Sequence, residues 1–162
     1  MDQRQDGRQQ LSLPDATSHL LEECRMVLPG IQTLFGFQLV VIFDERFEEA
    51  LTLGEQQMHL VATFLVVIGI ALLMTPAAWH RLRHPRSVSD HFVRVSSRLL
   101  LASMLPLATS ISLEVYLVAR VILKSTSGAL AVAAGAFATF ATLWLLLPAL
   151  WKRGGGANEE GR

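Results

Sequence analysis

The chain is short of the residues from which most enzyme and metal sites are built. It holds a single cysteine, Cys24. An intramolecular disulfide and a cysteine metal cage are therefore both excluded. It contains no glycine-rich phosphate loop and no GxSxG elbow, and no nucleophile stands beside a recognisable base. Net charge is absent as well. The 14 basic residues offset 14 acidic ones, which removes any general attraction to nucleic acid or to acidic partners. Met1 is not followed by a basic region, a short apolar core and a small-residue cleavage site, so no cleaved leader is expected.

Charge is also missing from long continuous stretches. None occurs from Leu60 to Ala78, from Leu99 to Leu113, or from Ser125 to Trp151. Half of the 162 residues (51%) are hydrophobic. A soluble domain of this size would scatter its charges along amphipathic segments. Apolar runs of about 18 residues or more read instead as transmembrane helices. The expected fold is an all-α membrane protein, with four transmembrane helices in an up-down bundle and an N-terminal interfacial helix. Residues 1–14 and 152–162 read as disordered cytoplasmic tails. Residues 15–151 form the membrane domain, with spans at about 26–43, 58–78, 99–123 and 128–151. Pro14-Asp15 is a helix-start signal, and the helix it opens is expected to lie along the interface before the first span.

The connections between spans differ sharply in charge. The 44–57 loop carries five acids (Asp44, Glu45, Glu48, Glu49, Glu55) and one base, Arg46. The 79–98 loop carries Arg81, Arg83, Arg86, Arg94 and Arg98, against one acid, Asp90. By the positive-inside rule the basic loop and both termini lie in the cytoplasm, which in a bacterium makes this an inner-membrane protein. The five arginines act as topology anchors and can meet anionic lipid headgroups.

Ionisable groups inside a bilayer are costly and usually face protein or water. Glu114 is the main one. Ser96, Ser103, Ser110 and Glu114 fall within about 40° of one direction at roughly 100° per residue. Pro106 near that face frees the carbonyl of Ala102. The stripe could be a proton or cation site, or Glu114 could simply pair with an arginine such as Arg120 on a neighbouring helix. A second polar face in span one aligns Arg25, Pro29, Gln32 and Gly36. There Gln32 can bond across helices, and Gly36 allows close approach. Span four places Ala131, Gly135 and Thr139 at intervals of four residues. That spacing suits either a seam within the bundle or a homodimer face. His80 and His84 have the spacing of a helical metal pair, but Pro85 follows directly and no supporting ligand is near; His59, His80, His84 and His91 read as loop residues. No metal and no cofactor is expected.

Several short patterns, in order, resemble a family of small bacterial four-span membrane proteins of unknown function. They begin with Glu23-x-Arg25 before the first span, then Gly30-Ile31-Gln32 and Gly36-Phe37, then Arg46-Phe47 just beyond it. Pro76-x-x-x-His80-Arg81 closes the second span, and Asp90-x-Phe92-Val93-Arg94-Val95-x-x-Arg98-Leu99 closes the basic loop. Ser97 stands where an Asn is expected, and Pro29 where a Thr is more usual. The resemblance covers about Leu20–Trp151 and implies the four-span topology. Some similar proteins carry a sodium–proton antiporter label, although antiporters generally have many more spans, inverted repeats and broken helices.

The expected function is therefore that of a non-enzymatic structural or partner-binding membrane component. Its expected partners are the lipid bilayer, including anionic lipids, and a second copy or another membrane protein. The alternative is a small proton or cation translocator using Glu114, with Gln32 and Ser110 along its route.

Overall fold

Each apolar run becomes a helix because a chain in lipid has no water to satisfy its backbone, and a helix satisfies it internally. A computed structural model of the protein describes residues 13–83 and 90–147. It contains α1 (Leu13–Val41), α2 (Arg46–Ala50), α3 (Leu53–Arg83), α4 (Asp90–Leu123) and α5 (Thr126–Ala141), the last extended by a π-helical turn at Thr142–Leu146. Four of these helices are long and apolar enough to cross a membrane. Of the tails expected at 1–14 and 152–162, residues 1–12 and 152–162 lie outside the described residues, while Leu13 and Pro14 already belong to α1; Arg86 and the middle of the basic loop also lie outside.

Each of the four long helices begins before its expected span, and α3 also ends beyond it, at Arg83. The segment expected as a separate interfacial helix is continuous with the first span in α1. Pro29 lies inside α1 without ending it. It forgoes one backbone bond to Arg25, a loss that membrane helices tolerate.

The core is the antiparallel pair α3 and α4. On α3 the buried positions are His59, Ala62, Val66, Gly69, Leu73 and Pro76. They alternate at three and four residues, the 3.5-residue seam of left-handed helix packing. Opposite them, Ser96, Ser103, Ser110 and Leu117 recur every seven residues and are 0%, 2%, 0% and 4% exposed. The serine stripe of α4 is thus the packing seam with α3. Small side chains there let the backbones approach. Ser110 Oγ donates to the Ala62 carbonyl across the seam at 2.8 Å. The closest approach is at Gly69, where a Cβ would lie 2.8 Å from Leu107 Cγ and Cδ2. Ile31 of α1, Val66, Leu73 and Leu107 fill the middle of the bundle.

The two ends differ in chemistry. At the acidic end, Thr52 and Glu55 form a capping box that starts α3. Thr52 N and Oγ1 both donate to Glu55 Oε2 at 2.9 Å, and Glu55 N donates to Thr52 Oγ1 at 3.4 Å. Glu55 Oε1 also meets Arg120 Nε at 3.2 Å, tying α3 to the end of α4. The α4–α5 turn is two residues long. Lys124 takes a left-handed conformation (φ 50°) with its N–H on the Arg120 carbonyl, and Ser125 Oγ caps α5 by accepting from Gly128 N. At the basic end, Trp79 packs edge-on against His91 and Phe92, which fixes the start of α4 against the end of α3.

Candidate functional site

Three helices bring Gln38, His59, Ser110 and Glu114 together at the acidic end. Gln38 lies near the C-terminal end of α1, His59 in the second turn of α3, and Ser110 and Glu114 one turn apart on α4. Gln38 and His59 are each 4% exposed. Gln38 Nε2 donates to Ser110 Oγ at 3.2 Å and to Glu114 Oε1 at 3.0 Å. His59 Nε2 lies 2.9 Å from the Gln38 carbonyl, and His59 Nδ1 lies 3.0 Å from Glu114 Oε1. Phe47 of α2 covers the imidazole edge-on at 5.4 Å between ring centroids.

Donor and acceptor rules fix most of the protons. A carbonyl can only accept, so Nε2 of His59 carries a hydrogen. Ser110 spends its own hydrogen on Ala62 and therefore accepts from Gln38. Nδ1 of His59 faces the Glu114 carboxyl at 3.0 Å, within reach of a single hydrogen shared between them. The bonds at Gln38 and His59 are interhelical and directional, so the cluster locks the rotation of α1, α3 and α4 relative to one another.

Glu114 also lines a cavity of about 340 Å³ open at the acidic end, together with His59, Phe47, Asp44 and apolar side chains of α1 and α4 such as Val41 and Leu117. Below the cluster lies the apolar layer of Ile31, Val66, Leu73 and Leu107.

Of the residues singled out in the sequence, Glu114 and Ser110 join this cluster. Ser103 is buried in the α3–α4 seam, where its hydroxyl donates to the Leu100 carbonyl of its own helix at 2.7 Å. Gln32 is exposed on α1, and Gln38 takes the place on the Glu114 route expected of Gln32. Arg120 bonds Glu55, so the partner of Glu114 is His59 and not an arginine. His59, expected among the loop histidines, is instead a buried part of the cluster. Its sequence signal was a histidine opening an otherwise uncharged run; that of Gln38 was an amide within one, a signal that Gln32 shares.

Arg25 is exposed at the basic end of α1, where it shares a cavity with Arg81. Arg94 and Arg98 are exposed on the first turns of α4, and Arg83 ends α3. Gly36 meets no neighbour that would obstruct a Cβ. Ala131, Gly135 and Thr139 face outward on α5, away from the rest of the chain. Among the described residues, no three His, Cys, Asp or Glu side chains are grouped as a metal site.

These features define a small multi-pass membrane protein, an antiparallel helical bundle tied together near one end by a histidine–carboxylate–amide cluster. Residues 14–148 match the model of a family of unknown function, DUF6328, and the chain belongs to that family. Nothing among curated proteins or solved structures matches it.

Proposed function

We propose that this protein is a structural, partner-binding component of the bacterial cytoplasmic membrane, with both termini in the cytoplasm and no catalytic step of its own. One observation carries the reading. Gln38, His59, Ser110 and Glu114 are engaged with one another across three helices, and the level beneath them is filled with apolar side chains. Such an arrangement suits a rigid scaffold better than a conduit. The contact surface is the outer face of α5, whose span is only 11% buried. Ala131, Gly135 and Thr139 present small side chains there, which helix association in lipid favours over contact with lipid itself. The partner in this reading is a second copy or another membrane protein.

The orientation rests on the arginine imbalance between the two loops. In a Cys24→Ser background, a cysteine at Thr126 should label from outside intact cells and one at His91 should not; the reverse pattern would invert the topology.

The translocator alternative draws on the cavity beside Glu114. Purified protein in liposomes with an internal pH dye distinguishes the two. The scaffold reading expects no proton flux above protein-free liposomes under a sodium or potassium gradient. It also expects Gly135→Leu to lower self-association or partner capture in bilayers. Cation-driven flux that Glu114→Gln abolishes would replace the scaffold reading with the translocator.

A further inference from the structure

At the basic end, α1 and α3 border a cavity of about 500 Å³ lined by Leu21, Arg25 and Leu28 of α1 and by Met74, Ala78 and Arg81 of α3 among others. Its volume falls in the ordinary range for small-ligand sites, roughly 300–1,000 Å³. The lining has a definite polarity. Its two charged residues are both arginines, from different helices, and the remaining lining residues are apolar. No carboxylate lines it; Glu22 and Glu23 of α1 are exposed and outside it. Neither arginine forms an ion pair or hydrogen bond with any described residue. Two arginines from different helices lining one cavity present permanently charged, multi-donor groups suited to a phosphate.

Depth identifies the kind of anion. Arg25 lies four residues inside the start of the first span, Leu21–Val41, and Arg81 two residues past the end of the second, Leu53–Trp79. Both therefore sit at the level where the hydrocarbon gives way to headgroups. Leu28 and Met74 continue the cavity toward the bilayer interior, where an acyl chain would run. We propose that this cavity is a binding site for one anionic phospholipid, whose phosphate bridges Arg25 and Arg81 while the start of one chain lies along Leu28 and Met74. Bound there, the lipid joins α1 to α3 at the basic end, as Gln38 and His59 join them at the acidic end.

The test uses the full chain reconstituted with spin-labelled phosphatidylglycerol or spin-labelled phosphatidylcholine, and reads the motionally restricted lipid fraction. The expected result is a preference for phosphatidylglycerol. Headgroup arginines contribute roughly fivefold each in affinity, so Arg25→Gln with Arg81→Gln should lower that preference about twenty-five-fold. Ala78→Phe keeps both charges but fills the cavity, and should abolish the preference for phosphatidylglycerol. Arg46→Gln removes an exposed arginine at the acidic end, outside the cavity, and should change the preference little. Equal restriction of both lipids, full retention of the preference in the double arginine variant, or an equal loss in Arg46→Gln would overturn the site. Displacement of the lipid by millimolar inorganic phosphate would make the ligand a free phosphate and overturn the lipid assignment.

Discussion

Replacing Glu114 by alanine tests the central cluster most directly. The substitution removes the bond from Gln38 Nε2 at 3.0 Å and the contact with His59 Nδ1 at 3.0 Å. Interhelical polar contacts in membranes contribute about 0.6 kcal/mol on average and up to roughly 1.7 kcal/mol. The two together are therefore worth about 1.2–3.4 kcal/mol. A further cost comes from the His59 ring, whose side chain is 5% exposed and would lose the partner of Nδ1. A buried polar group left unpaired costs about 1–3 kcal/mol. Glu114 is itself 21% exposed beside an open cavity, so water would recover part of that loss. The expected destabilisation is about 2–3 kcal/mol for Glu114→Ala. Glu114→Gln should cost no more than about 1 kcal/mol, because the amide oxygen can still accept from Gln38 while its N–H₂ donates to a neutral imidazole. Reversible unfolding in mixed micelles on addition of SDS, followed by helical circular dichroism, measures both values. An alanine variant within about 0.5 kcal/mol of the parent, or a glutamine variant as damaged as the alanine one, would refute the reasoning. A double-mutant cycle with His59→Ala should give a coupling of about 1–2 kcal/mol, and none if the two side chains do not meet.

Two glycines should behave oppositely. Gly69→Ala drives a Cβ to 2.8 Å from buried Leu107 and should destabilise by about 1–3 kcal/mol, whereas Gly135→Ala meets nothing within 4 Å and should leave the stability of the isolated chain unchanged or slightly raised. The same micelle titration reads both; an equal effect would place the tight seam elsewhere. Glu55→Ala loses half of the α3 capping box and the Arg120 pair and should cost about 1–2 kcal/mol, while Arg120→Ala loses only the partly exposed pair and should cost under about 1 kcal/mol. If the arginine substitution proved the more damaging, the cap would not be the larger contribution.

The membrane class, the four spans and the contrast between loops were legible because charge is expensive in lipid and its absence leaves a gap in the sequence that is easily counted. The alignment of Ser96, Ser103, Ser110 and Glu114 was legible too, since helical geometry fixes which residues share a face. What that face was for was not. The same spacing suits a proton route and a packing seam, and only the partner helix distinguishes them. Here Ser110 reaches the backbone of Ala62, and Gly69 closes on Leu107.

The choice between Gln32 and Gln38 shows the limit most clearly. Both lie on α1, in a segment apolar almost all round. A soluble helix announces its inner face by hydrophobic contrast, because its outer face must meet water. A helix in lipid meets hydrocarbon outside and side chains inside, so that contrast vanishes and the pattern no longer says which amide turns inward. The sequence by itself therefore determined what kind of protein this is, how many times it crosses the membrane and which loop is basic. Only the tertiary structure decided that Glu114 meets His59 and Gln38, that Arg120 meets Glu55, and that Arg25 and Arg81 share one cavity. Each of those pairs joins two helices, and the rotation of one helix against another is set by packing at positions such as Gly69 and Ser110, which no periodicity within a single helix encodes.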